Sequence, residues 1–299
     1  MKFTLNGITP AMVTPFKKGG EKIDFDKACA LAERLAKTGV HGLFVNGTTG
    51  EGMLMTLDER KALLEELIAT VGKRTKIIAH TGCLDTAGVI ELTRHARDAG
   101  ADAVAVVAPG FYSYDDDALY AHYTHVAKKT EGIPILAYNI PRCAINVLSP
   151  KLVIRLSEID SIVGIKDSQG DLIKMADVVA GVPEGFNVIN GSDPLTIQSY
   201  LTGANGSVSA TANVAPKLIL SIYTNFIKGN IKKAQTQQQK LHGVRTMIAL
   251  GNGPGRYKEA LRLAGFDAGY VRLPGREPTR NEKRAMAEAF ERYNVGAVI

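Results

Sequence analysis

Lys166 closes an apolar segment, Ile162-Val163-Gly164-Ile165-Lys166-Asp167. A lysine at the mouth of an apolar strand is partly desolvated, and desolvation disfavours its ammonium form. The neutral amine is the nucleophile that Schiff-base chemistry requires. The competing reading is a lysine at the wet end of a strand, paired with Asp167. Tyr138 stands near the end of another apolar run, Ala137-Tyr138-Asn139-Ile140-Pro141. A phenol there can move a proton, or it can be a rim tyrosine with a satisfied hydroxyl. Asn46-Gly47-Thr48-Thr49-Gly50-Glu51 sets two hydroxyls between glycines, either an ordinary turn or a nest of donors for a carboxylate. Asn190-Gly191-Ser192-Asp193 places a glycine where a ligand could approach the backbone closely. An amine nucleophile, a phenol and a carboxylate clamp around one cavity describe a Schiff-base enzyme acting on a 2-oxo acid.

These groups converge only if the elements carrying them do. Short apolar runs recur at 8–14, 42–46, 76–80, 103–108, 133–139, 162–166, 186–190 and 207–210. Amphipathic stretches separate them at 24–38, 57–71, 86–99, 116–130, 150–157, 171–180, 194–202 and 216–228. Continuous apolar strands suit a parallel sheet buried on both faces, and alternating βα units build one. Gly39, Gly100 and Gly203 each fall just after a helix, where a left-handed residue ends it. The pattern predicts a (β/α)8 barrel over 1–229, with a helical extension over 230–299 packed on it. A doubly wound sheet would favour a glycine-rich fingerprint after the first strand, and Pro15-Phe16-Lys17-Lys18 follows instead. The tail reads as helices at 231–250, 255–264 and 281–292, with Gly251-Asn252-Gly253-Pro254-Gly255 as a linker. In a barrel, reactive groups sit at the C-terminal strand ends, where Thr48, Tyr138, Lys166 and Gly191 all fall.

The remaining composition sets bounds. The chain has 299 residues, is 45% hydrophobic and carries a formal charge of +6 without a dense basic run. A nucleic-acid site would cluster its charge, so none is expected. No stretch approaches the apolar length of a membrane span, and the N-terminus lacks the apolar core of a secretory signal. Cys29, Cys83 and Cys143 are widely spaced, which fits a reducing cytoplasm and offers neither a disulfide framework nor a zinc motif. His122 and His125 share a helix face without a third ligand, so no metal is expected.

The segment Gly42-Leu43-Phe44-Val45-Asn46-Gly47-Thr48-Thr49-Gly50-Glu51 resembles the first signature of the dihydrodipicolinate synthase / N-acetylneuraminate lyase family. Tyr138-Asn139-Ile140-Pro141 and Gly164-Ile165-Lys166-Asp167 resemble its second, and the likeness runs through most of the chain. The resemblance implies a (β/α)8 barrel, assembly as homotetramers (dimers of dimers) and class I pyruvate aldolase chemistry without cofactor or metal. It implies that Lys166 forms the imine with pyruvate and that Tyr138 shuttles the proton with Thr48 in the relay. Thr49, with backbone amides around Gly47, would hold the carboxylate, and Gly191 and Val208 would line the pocket.

Two departures bear on the substrate. Cys143 stands two residues after the proline, where the synthases carry an arginine that grips the aldehyde's carboxylate; Arg142 lies one residue earlier. Phe111 takes the place of the synthases' interface tyrosine, with Tyr112 as a neighbouring substitute. The sialic acid lyases have a histidine where this chain has Asn139. The expectation is therefore an aldolase that cleaves a 2-keto-3-deoxy sugar acid to pyruvate and an aldehyde. The first alternative is 4-hydroxy-tetrahydrodipicolinate synthase, condensing pyruvate with aspartate semialdehyde. Further alternatives are a 4-hydroxy-2-oxoglutarate aldolase, a sugar-acid dehydratase and a non-catalytic sugar-acid sensor.

Overall fold

The computed structural model describes residues 3–298. Eight strands alternate with helices: β1 (Gly7–Pro10), β2 (Gly42–Val45), β3 (Lys76–His80), β4 (Ala103–Val107), β5 (Ile135–Asn139), β6 (Ile162–Asp167), β7 (Asn187–Asn190) and β8 (Gly206–Ser209). They form one sheet in the order β1-β8-β7-β6-β5-β4-β3-β2, and every pairing is parallel. The ring closes between β1 and β2, where Ala11 bridges to Phe44 and the Met12 N–H donates to the Phe44 carbonyl at 3.0 Å. The expected (β/α)8 barrel is the observed fold.

Side-chain alternation divides the apolar residues into two layers. Phe44, Ile78, Ala105, Leu136, Tyr138 and Val208 fill the inside of the barrel. Leu43, Val45, Ile77, Val104, Ile135 and Ile165 point outward into the layer formed with the helices. Several helices start where the sequence offers a side-chain cap. Asp85 accepts from the Gly88 N–H, and Thr56 with Glu59 forms a reciprocal capping box. Gly100 and Gly203 end their helices in the left-handed region, at φ 91° and 114°.

β6 breaks the alternation. Ile135 pairs with Ile162, but Leu136 pairs with Gly164, so β6 carries one extra residue. Ile162 faces the helices and Val163 the interior. Strict alternation from there would turn residue 166 outward. The bulge restores phase so that Ile165 faces out and Lys166 stands beside Tyr138, inside. Gly164 is required at the bulge: a Cβ there would lie 2.5 Å from the Asn187 carbonyl oxygen and 2.8 Å from Leu136 Cδ2.

Some boundaries differ from expectation. The first strand ends at Pro10, because beyond the closing bridge the Val13 N–H turns to the Asn213 side chain at 3.1 Å. A helical turn at Pro141–Ala144, started by proline at its first position, was not foreseen. The tail contributes helices Ile231–Ala249, Gly255–Leu263 and Arg280–Arg292. Their Leu241, Val244, Leu261 and Met286 join the outer layer of the barrel's own core. No described helix is long and apolar enough to cross a membrane.

Replacing Gly164 by Ala should push β6 away from β7 and cost about 1–3 kcal/mol, as overpacking does. Denaturant unfolding should show the loss, and kcat/KM for pyruvate should fall with it. Wild-type stability and kinetics in Gly164→Ala would contradict this reading of the bulge.

Candidate active site

Tyr138 and Lys166 are direct partners across β5 and β6. Lys166 is buried, only 4% exposed. Its Nζ lies 3.8 Å from the centre of the Phe44 ring and 3.9 Å from that of Tyr138, and the two rings meet edge to face. Burial pushes the Lys166 pKa down; the neighbouring Tyr138 opposes the shift, Arg142 adds to it and Asp193 opposes it. The two ring faces attract the ammonium, but the loss of water dominates. The pairing of Lys166 with Asp167 does not occur. The Asp167 carboxylate instead accepts from the Gln169 N–H at 2.8 Å and the Asn139 amide at 3.1 Å. His80 packs edge-on against Tyr138, and burial, Arg60 and Lys166 hold its pKa well below the usual value, so it is neutral.

The loop after β2 is held in a conformation that few residues adopt. Asn46 and Glu51 both have positive φ, at 60° and 56°. Gly52 is obligatory, since a Cβ would sit 1.7 Å from the Asn46 carbonyl oxygen. The Glu51 carboxylate turns away from the cavity to a tail helix. Lys258 Nζ donates to it at 2.7 Å and the Arg272 N–H at 2.9 Å, and neither charged side chain of the pair reaches solvent appreciably. Breaking such a buried pair by removing one partner costs about 3–5 kcal/mol, so the tail and the Thr48–Thr49 loop are energetically tied.

One cavity of about 280 Å³ is lined by Thr48, Thr49, Tyr138, Lys166, Gly191 and Val208. Arg142 and Cys143 also line it. Thr48 and Tyr138 share it without a direct hydrogen bond among the described residues. Gly47 lies outside it, beneath the loop, where a Cβ would meet the Phe44 ring at 2.5 Å. Gly47 therefore leaves room for the ring that covers Lys166. Tyr112 also lies outside, 64% exposed and stacked edge to face on Phe111, which is more exposed still. Tyr112 lines a separate apolar groove with Leu84 and Tyr114. Sequence reasoning missed Phe44, whose role shows only in three dimensions. It also missed Arg256 and Tyr257, because the glycine-rich linker before them read as a connection; Gly253 and Pro254 reach the cavity too. An adjoining chamber of about 330 Å³ shares Arg142, Gly191, Arg256 and Tyr257 and adds Asp193 and Arg245. Among the described residues no cluster of three or more His, Cys, Asp or Glu side chains could hold a metal ion.

The model of the dihydrodipicolinate synthetase family matches residues 4–292. The chain belongs to that family. It is 37% identical to a 4-hydroxy-tetrahydrodipicolinate synthase of Methanothrix thermoacetophila, over 90% of each chain. It is 34% identical to the one of Bacillus subtilis, over 95% of this chain and 97% of the other. Among solved structures, a dihydrodipicolinate synthase from Bacillus anthracis superposes with a TM-score of 0.91 at 36% identity, covering 96% of this chain and 97% of that one. YagE of Escherichia coli K12, a prophage protein of the same family solved in complex with pyruvate, gives 0.93 at 28% identity, covering 97% and 99%. Enzymes of this family are carbon–carbon lyases that form a Schiff base between pyruvate and a lysine and use no cofactor.

The comparisons correct one expectation. The sugar-acid aldolase reading is overturned by relatives named 4-hydroxy-tetrahydrodipicolinate synthase that match across nine-tenths or more of the chain. That reading rested on Cys143, in the helical turn after β5, and Phe111, in the loop after β4. It weighed only Arg142 against the missing arginine, whereas the folded cavity places Arg256 at its wall as well as Arg142.

Because burial lowers the Lys166 pKa below its usual 10.5, the free-amine fraction rises through a lower pH range than for an exposed lysine. The neutral amine is the attacking form, so kcat/KM for pyruvate should climb as pH rises through that range. The apparent pKa of this limb should lie below 10.5 and should be absent from single-turnover profiles of Lys166→Ala. A limb at or above 10.5 would show that the lysine behaves as if solvated.

Proposed function

We propose that this chain is a 4-hydroxy-tetrahydrodipicolinate synthase, condensing pyruvate with aspartate semialdehyde. The observation that carries the proposal is the run of synthase relatives at 32–37% identity across nearly the whole chain. The convergence of Lys166 and Tyr138 at one cavity supports the same chemistry.

In this reading the neutral Lys166 amine attacks the keto carbon of pyruvate, and the carbinolamine loses one water to give the iminium. Thr49 and nearby backbone amides hold the pyruvate carboxylate, and Gly191 and Val208 bound the methyl side. The iminium acts as electron sink while the methyl carbon loses a proton. The resulting enamine forms the carbon–carbon bond to the aldehyde, whose oxygen takes up a proton. Tyr138 carries protons in these steps, with Thr48 between it and solvent. The amino group of the bound aldehyde substrate then attacks the imine carbon, closes the ring and expels Lys166. One water leaves overall and the lysine returns to its free form.

The barrel, 1–229, and the extension, 230–299, act as one catalytic unit, since both line the cavity. The enzyme works in the cytoplasm as a homotetramer, a dimer of dimers. The exposed aromatic group of Phe111, Tyr112 and Tyr114 supports this, because a contiguous apolar patch of that kind marks an interaction face. In such an assembly Tyr112 supplies a phenol at a neighbour's site, where Phe111 cannot.

Steady-state assays with both substrates test the proposal. Condensation should exceed cleavage of 2-keto-3-deoxy sugar acids by about a hundredfold or more in kcat/KM, the discrimination available to a site built around polar groups. Sugar-acid cleavage without condensation would sink the proposal.

A further inference from the structure

The strand-five loop that positions Cys143 offers a thiol, not a charge, to an incoming carboxylate. The cationic groups of the two adjoining chambers come from elsewhere. Arg142 belongs to the short turn after β5, Arg256 to the first turn of helix Gly255–Leu263 and Arg245 to helix Ile231–Ala249. None of the three has a carboxylate within ion-pair distance among the described residues. Arg74, Arg155, Arg262, Arg272 and Arg276, by contrast, are all so paired. Arg256 leans on the Tyr257 ring at 5.1 Å, and its Nε is buried without an acceptor. A buried donor left unpaired is costly, and a ligand in the cavity would satisfy it. The chambers' one carboxylate, Asp193, is already engaged by Thr211, its Oδ2 accepting from the Thr211 hydroxyl at 2.6 Å and the Thr211 N–H at 3.1 Å. Three guanidiniums against one carboxylate leave a cationic excess facing the space beside Lys166. Guanidinium is the group that grips a carboxylate through two parallel hydrogen bonds.

We infer that Arg256 and Arg245, both supplied by the C-terminal tail, bind the carboxylate of the aldehyde substrate, the task that Cys143 cannot perform. The inference rests on the proposed synthase reading, which names an aldehyde bearing a carboxylate. It adds that the tail selects this substrate, while the barrel carries out the pyruvate half of the reaction. Pyruvate is already covalently placed at Lys166, so the arginines act on the second substrate alone. They are binding residues and take no proton.

Steady-state kinetics of Arg256→Gln, Arg245→Gln and the double variant test this. The KM for aspartate semialdehyde should rise about ten- to hundredfold in Arg256→Gln and further in the double variant, in line with the loss of hydrogen bonds to a charged group. The KM for pyruvate should change less than about twofold, a split that general misfolding would not produce. Arg256→Lys should recover part of the loss, because it keeps the charge but not the fork. The preference for aspartate semialdehyde over an aldehyde lacking the carboxylate, such as propanal, should collapse in the double variant. A double variant that condenses with unchanged KM for aspartate semialdehyde overturns the inference and leaves the synthase reading intact. Equal rises in both KM values also overturn it, as they mark a structural role. A wild-type enzyme that does not condense the two substrates overturns both.

Discussion

The site depends on a single extra residue in β6. Between Ile162 and Gly164 the strand gains one position on its neighbour, and everything after it changes face. Without that bulge, Lys166 would point at the helices, where a charge meets only apolar side chains. With it, Lys166 enters the barrel beside Tyr138 and beneath Phe44, in a place dry enough to weaken the ammonium but open to the cavity. Gly164 makes the bulge possible because only a residue without a side chain fits between Asn187 and Leu136. The depressed pKa of the lysine therefore originates in sheet register, two residues before the lysine itself.

The tail is bound into the same arrangement. Glu51 ends the threonine loop in a left-handed conformation, and its carboxylate is held by Lys258 and the Arg272 backbone. Burial pushes the Lys258 pKa down and Glu51 opposes the shift, so the pair persists only while both partners stay in place. This contact links the pyruvate end of the cavity to the helix whose first turn carries Arg256 and Tyr257. A displacement of the helix would move both walls together.

Much of this was legible in the sequence. Continuous apolar runs separated by helical periods gave the eight strands, because a parallel sheet buried on both faces leaves no room for polar alternation. Lys166, Tyr138, Thr48, Thr49 and Gly191 were placed at strand ends or in the loops just beyond, Val208 followed from the family resemblance, and the structure brings all six to one cavity. The bulge was not legible, since Val163-Gly164 reads as ordinary strand and its extra residue shows only against β5. Gly47 was read as part of the amide nest and Tyr112 as a substitute for an interface tyrosine; neither lines the cavity of this chain, Gly47 packing against Phe44 and Tyr112 lying exposed. Arg245 and Arg256 lie some eighty to ninety residues beyond Lys166, past a linker that gives no sign of returning to the site. That distance also explains the mistaken substrate expectation: a motif read within one loop sees the loss of an arginine, and not the arrival of others through the fold.

The most direct test of the account is borohydride reduction in the presence of pyruvate, followed by peptide mass spectrometry. The account predicts a pyruvate-derived adduct on the peptide containing Lys166, absent from Lys166→Ala. An adduct on another lysine, or none in an enzyme that still consumes pyruvate, would contradict it.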